Sequence, residues 1–426
     1  MPCIIEFPTI VQQAIEQFGS VFANEPERRH FAEYLTGLMI AAKKNVTGIN
    51  SEFAETTDQS CLNKWITQAD WDVQELNRQR LAWHQQDLQT RYSPSGMIPI
   101  DNTLVDHSGR LIEDVGYFWD HAEQRYLIAH DYLIANYVCP SGKHYALEFR
   151  RFRKRADCEA KRTEIEARKG GWKTATDEEK RLASFKSHTE LCCELVDWVV
   201  AERIPGTFTF GIYFTNAPVL NPLHQQQRAY VGDLKFNRKV WFHGLEMSAT
   251  EMAAEITPEL RKKLWVGDRT QWYFTKTVHL PEVNHKIRVV MLWDRWNAKE
   301  PVKILITNQT HWEVTRILRS YRARWTGTET LHRDGKQHLG LGDCQLRSGE
   351  SQTRHFYLVL LVHSLLMAQL RQGRVRDWAM VTLTTIGEAC RCVLRETLGK
   401  TISWVIERAT LDGWQPETIK AHLALI

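Results

Sequence analysis

The 426-residue chain contains no run approaching the roughly 18 consecutive apolar residues that a membrane-crossing helix needs. Its N-terminus lacks the basic-then-apolar stretch of a secretory signal. A soluble, cytoplasmic protein with no membrane partner is expected. The nine cysteines form no Cys-x-x-Cys pair: Cys192 and Cys193 are adjacent, Cys390 and Cys392 are one residue apart, and the others are scattered. Ligand spacing for a structural zinc site is missing, and reduced, mostly buried thiols are expected instead. Neither sign of charge dominates, since 55 Lys and Arg against 51 Asp and Glu leave a net +4. A balance this small does not by itself announce a polyanionic partner. No internal repeat at a solenoid period is found. With 43% apolar and 25% charged residues the composition is that of an ordinary globular protein, which excludes disordered, collagenous and coiled-coil chains. At roughly 100–200 residues per domain, the length allows two to four structural units.

The distribution of charge says more than its sum. Between Lys143 and Lys173 there are eleven Lys and Arg against five Asp and Glu, densest in Arg150-Arg151-Phe152-Arg153-Lys154-Arg155. Such a cluster is either a phosphate-binding patch or a solvated strand end and helix face.

Residues 10–91 carry a helical period. Phe31, Tyr34, Leu35, Leu38 and Met39 recur at three- and four-residue steps, and Asp70-Trp71-Asp72 gives a later helix an acidic start. This region, with boundaries at 1–94, either binds DNA or packs against the rest of the chain. At Met97 the period changes. Met97-Ile98-Pro99-Ile100-Asp101-Asn102-Thr103-Leu104-Val105 reads as a strand, Asp106 to Arg110 as a turn, and residues 125–134 and 144–153 as further strands of an antiparallel meander. The charged segment 157–187 reads as an exposed helical excursion. A helix is expected over 188–203, a strand over 207–213, a helix over 219–227 and a strand over 229–234. That order predicts an α/β fold with a mixed sheet flanked by helices, its first part spanning 95–234. Residues 235–310 read as a β-rich insertion, 311–370 as the helical end of the core, and 371–426 as a helical C-terminal region.

Two places could carry chemistry. Asp101 is a carboxylate inside an apolar strand, where burial is costly unless it is paired or binds a metal; an edge position reaching solvent is the alternative. Glu329 and Lys336 are seven residues apart, nearly two helical turns, and share a helix face. Against a catalytic role, Thr326-x-x-Glu329 also has the form of a capping box that would only start a helix.

The segment Tyr321-x-x-Arg324-Trp325, continuing to Glu329, Lys336-Gln337 and Leu339-Gly340-Leu341, resembles the Tyr-Arg-Glu-Lys signature of bacterial cut-and-paste insertion-sequence transposases of the DDE type. Ile100-Asp101-Asn102-Thr103 is similar to their first catalytic strand. The resemblance covers roughly residues 95–365. It implies a ribonuclease H-like core with a β-rich insertion, and an Asp-Asp-Glu triad holding two Mg²⁺ ions, Mn²⁺ being a possible substitute. Hard cations prefer carboxylate oxygens, and two of them clamp the attacking and leaving oxygens of a phosphodiester displacement. By position, Asp101 is the first carboxylate and Glu329 the last, while Tyr321, Arg324 and Lys336 would contact DNA phosphates. The implied activity is endonucleolytic cleavage and strand transfer at insertion-sequence ends. The implied partners are double-stranded DNA and a second copy of the chain, on the bacterial nucleoid.

The sequence departs from this pattern twice. Four residues, not three, separate Arg324 from Glu329, which turns Glu329 by about 100° in an unbroken helix unless Gly327 marks the helix start. The middle aspartate is expected where Gly211 stands, and the nearest substitute is Asp233, whose alternative role is a strand-end pair with Lys235 or Arg238. The missing ligand leaves a second expectation open, a transposase-derived DNA-binding protein with impaired catalysis.

Overall fold

The structure, a computed structural model, describes residues 4–121, 123–266, 269–371 and 382–423. The helices are α1 (Thr9–Phe18), α2 (Glu25–Ile40), α3 (Val46–Asn50), α4 (Gln59–Gln68), α5 (Val73–His84), α6 (Arg155–Ala167) and α7 (Asp177–Ala183). They continue with α8 (His188–Ala201), α9 (Ala217–Gln225), α10 (Ala249–Ala254), α11 (Val314–His338), α12 (Gly349–Gln369), α13 (Ile386–Thr410) and α14 (Pro416–His422). The strands are β1 (Met97–Asp106), β2 (Gly116–Asp120), β3 (Arg125–Val138), β4 (His144–Phe152), β5 (Thr207–Phe210) and β6 (Tyr230–Asp233). After them come β7 (Lys239–Phe242), β8 (Leu245–Ser248), β9 (Lys262–Val266), β10 (Arg269–Val278), β11 (Ile287–Trp293) and β12 (Lys303–Thr307). Two units result, one of residues 1–91, 104–131 and 330–426, the other of residues 92–103 and 132–329.

The first unit is mainly helical. Asn24 caps α2 by accepting from the Glu27 amide, and Glu25 and Glu27 complement the positive end of the helix. The apolar positions predicted from spacing are buried, with Phe31, Tyr34, Leu35 and Leu38 fully enclosed, but from His30 to Met39 the helix is buried on every side rather than on one face. The helix α12 is buried on nearly every side, which is why its sequence is apolar all round. Among the described residues no helix is long and apolar enough to cross a membrane. The hairpin β2–β3 adds an antiparallel ribbon, with Trp119 opposite Tyr126. The C-terminal segment expected to be helical contains α13 and α14, while residues 372–381 of it lie outside the described residues.

The second unit is built on a mixed sheet in the order β3-β1-β5-β6-β12-β11-β10-β9, with β4 paired to β3. The pairs β1–β5 and β5–β6 are parallel, and β6–β12, β12–β11, β11–β10 and β10–β9 are antiparallel. This is the ribonuclease H-like arrangement of a mixed sheet with flanking helices. Parallel strands are buried on both faces, and Thr207–Phe210 is enclosed throughout. A reciprocal capping box between Ser187 and Glu190 starts α8, and Asn216 caps α9, the crossover between β5 and β6. The β-rich stretch contributes β9 to β12 to this same sheet, while β7 and β8 form a separate two-stranded ribbon.

Two local expectations are corrected. The strand expected over 207–213 ends at Phe210, because the chain turns there: the Phe214 amide donates to the Gly211 carbonyl at 3.2 Å. The helix α11 begins at Val314, so Thr326-x-x-Glu329 is not a capping box and Gly327 is not a helix start. Gly327 has a packing role instead. A Cβ built there would stand 2.4 Å from Cγ2 of Val138 and 2.8 Å from Cγ of Pro99, so the missing side chain lets the helix lie against β1 and β3.

Candidate active site

Strand register places the site. Ile100 on β1 is opposite Phe210 on β5, and Phe210 is opposite Gly232 on β6. The residues that follow these three, Asp101 and Asp233 on their strands and Gly211 just past the end of β5, are therefore brought to the same level of the sheet. Asp101 and Asp233 are two strand spacings apart, about 9–10 Å between backbones, with a glycine between them. A Cβ built on Gly211 would lie 3.9 Å from Oδ1 of Asp101 and 3.7 Å from Nη1 of Arg324, in ordinary contact with both.

The helix α11 brings Arg324 and Tyr321 to these carboxylates, and β12 brings Lys303. Arg324 donates from Nη1 to Oδ2 of Asp101, and Oδ1 of Asp101 accepts from the Asn102 amide at 3.1 Å. Three residues earlier on the same helix, the Tyr321 hydroxyl donates to Oδ2 of Asp233 at 3.1 Å. Lys303 on β12 donates to that same oxygen at 2.8 Å and lies 5.2 Å from the Tyr321 ring centre. Asp233 is thus paired with Lys303 and Tyr321 rather than with Lys235 or Arg238. The result is a chain of neutralised groups, with Arg324 on one carboxylate and Lys303 on the other.

Burial raises the Asp101 pKa most, and the negative charge of Glu329 adds to the rise, while Arg324 and the Asn102 amide pull against it. Burial works against the charged Arg324 guanidinium, but Asp101, Tyr321 and Glu329 outweigh it and raise its pKa. Burial likewise opposes the Lys303 ammonium, and Asp233 more than compensates. The negative charge of Glu329 raises the pKa of both Asp101 and Arg324, and its side chain is exposed. Five helical positions separate it from Arg324, about 140° of rotation in an unbroken helix, so the two leave the helix in different directions.

Lys336 is exposed, seven residues further along α11. The basic cluster has internal partners. Arg150 pairs with Glu148 at 3.4 Å and Glu194 at 3.5 Å, Arg153 donates to the Leu182 carbonyl, and Arg155 stacks 4.0 Å from the Phe185 ring centre. Arg151 is half-buried beside them. Lys303 is the site residue that sequence reasoning overlooked. The available signal was a lysine at the start of the apolar run Ile304-Leu305-Ile306, where an ammonium next to a buried strand needs an anion.

The sequence pattern of the DDE superfamily endonucleases matches residues 17–272. The chain belongs to that family. The matched span holds Asp101, Gly211 and Asp233 and stops before α11, which carries Glu329. No curated protein matches the chain. DDE endonucleases work with divalent metal ions held by carboxylates, and the donor set here does not fit the two-ion arrangement. Asp101 is engaged by Arg324, Asp233 by Lys303 and Tyr321, and position 211 contributes no side chain. Among the described residues no three His, Cys, Asp or Glu side chains converge to hold a metal ion. At this candidate site cations stand where an ion-binding site needs free anions.

Proposed function

We propose that the protein is a DNA transposase of an insertion-sequence element. It engages the element's ends as double-stranded DNA, and the reaction its fold is built for is phosphodiester cleavage followed by transfer of a 3′-hydroxyl to target DNA. The carrying observation is that Asp101 on β1 pairs with Arg324 on α11, the helix that also bears Glu329, although the two are far apart in sequence. Tyr321 and Arg324 on the same helix add a hydroxyl and a guanidinium suited to a phosphate. Lys336 and Arg155, the exposed member of the Arg150–Arg155 cluster, supply further phosphate contacts. Two ends must be joined, so two copies of the chain act together.

The empty position at Gly211 favours a second reading, a transposase descendant that binds DNA ends and has lost most of its cleavage. Like charges brought together repel, and one missing anion leaves two divalent ions poorly neutralised. Cleavage of duplexes carrying the sequences that flank the gene, in Mg²⁺ or Mn²⁺, separates the two. Nicking by the unmodified protein that disappears in Asp101→Ala supports the transposase. Specific binding without nicking supports the descendant, and absence of DNA binding removes both.

A further inference from the structure

A cavity of about 700 Å³ in the first unit is not accounted for by the Asp101 site. Three segments wall it: residues 42–45 after α2, residues 107–112 after β1, and residues 342–347 between α11 and α12. Lys43, Lys44, Arg110 and Arg347 line it against one carboxylate, Asp343. Lys43, Arg110 and Arg347 are exposed on this concave wall, Lys44 is half-buried and donates to the Gly37 carbonyl at 3.4 Å, and this excess of cations over one carboxylate suits a negatively charged ligand.

The walls are held in place. Gly340 has a φ of +69°, and a Cβ there would stand 2.4 Å from Cβ of Lys44, so glycine lets this backbone close on the lysine stem. From α12, buried Gln352 donates to the carbonyls of Cys344 at 3.2 Å and Leu346 at 2.7 Å. Buried His355 holds the Gly340 carbonyl at 3.0 Å. Glu113 ties the second wall to the third: its amide donates to the Arg347 carbonyl, and its carboxylate accepts from the Gly349 amide, each at 2.8 Å. Pre-set walls are what a binding site needs, since little ordering remains to be done when the ligand arrives. Burial pushes the Lys44 pKa down, more than Asp343 and its other acidic neighbours restore it, so the ammonium is short of counter-charge.

We propose that this cavity is a second phosphate-binding site, which takes backbone phosphates of duplex DNA outside the Asp101 site. It rests on the reading that the protein binds duplex DNA. Arg110 and Arg347 are exposed and offer planar donor forks for phosphate oxygens, and Lys43 adds an exposed point charge. Asp343 sets an upper limit on affinity by repelling the same phosphates. The motif Leu339-Gly340-Leu341 then has a physical role: its glycine seats Lys44 and its leucines are buried.

The test is DNA affinity against salt concentration, by fluorescence anisotropy with the full-length protein. The triple variant Lys43→Ala, Arg110→Ala, Arg347→Ala should flatten the log K versus log[salt] slope by about 2–3, at roughly 0.9 per phosphate lost. The three side chains are surface-exposed, and an unchanged unfolding midpoint confirms the fold. Asp343→Asn should tighten binding several-fold, and Arg347→Lys should keep most of the slope. An unchanged slope in the triple variant, with DNA still bound, overturns this site and leaves the DNA reading standing. Absence of any DNA binding by the unmodified protein overturns both. Inorganic pyrophosphate that saturates the cavity without competing with DNA makes it a site for free polyphosphate and overturns the assignment to DNA.

Discussion

Gly211 lies against Asp101, so close that a Cβ on the glycine would stand 3.9 Å from the carboxylate oxygen. A Cβ fits there in ordinary contact, and position 211 directly follows Phe210, which is opposite Ile100 on one side and Gly232 on the other. Gly211→Asp should raise divalent-cation affinity at least tenfold and increase cleavage of end-bearing duplexes. Titration with Mn²⁺ followed by electron paramagnetic resonance reads the first effect without relying on activity. Gly211→Asn adds bulk without charge and should do neither. Equal ion binding by the Asp and Asn variants would show that this position does not face the ion site.

Asp233 is held by Lys303 and Tyr321. Asp233→Asn should therefore lower folding stability by about 1–2 kcal/mol, the range for a lost charge-assisted hydrogen bond that is partly exposed to solvent. Lys303→Met in the same background should add little further loss, because its partner is already neutral. Urea midpoints of the two single variants and the double variant measure this coupling. Additive losses would mean that the pair does not act as a unit.

Gly327 is the point where α11 meets β1 and β3. Gly327→Ala should cost about 1–3 kcal/mol by overpacking, against the usual gain from alanine in a helix. Because Glu329 is two residues away, the same variant should weaken any activity that depends on Glu329. A stabilised Gly327→Ala protein in thermal unfolding would contradict the close approach.

His355 is fully buried, takes a hydrogen bond from the Tyr34 hydroxyl at 2.9 Å and donates to Gly340. Burial pushes its pKa down to about 4. A neutral imidazole is favoured by the fold, so its stabilisation is complete above the unfolded value near 6.5 and fades as pH falls toward 4. The loss should approach about 3 kcal/mol. Urea unfolding from pH 7 to pH 4 should show this decline, and His355→Gln should flatten it. An equal decline in the variant would place the titration elsewhere.

What the sequence determined by itself is local. Period and turn residues were enough for α2, β1, α8 and α12, because buried faces repeat at 3.6 or 2 residues whatever surrounds them. Asp101 stood out as an acid in an apolar strand, whereas Tyr321 and Arg324 stood out only through their resemblance to a transposase signature. Tertiary structure decided the rest. Asp101 and Arg324 pair across 222 intervening residues, and no local pattern records such a contact. The place of Lys303 follows from β12 lying beside β6, a long-range pairing set by the whole sheet. Gly327, a candidate helix start in the sequence, proved to be a packing contact inside α11, since the helix is held against the sheet by tertiary burial that outweighs the modest helix penalty of one glycine.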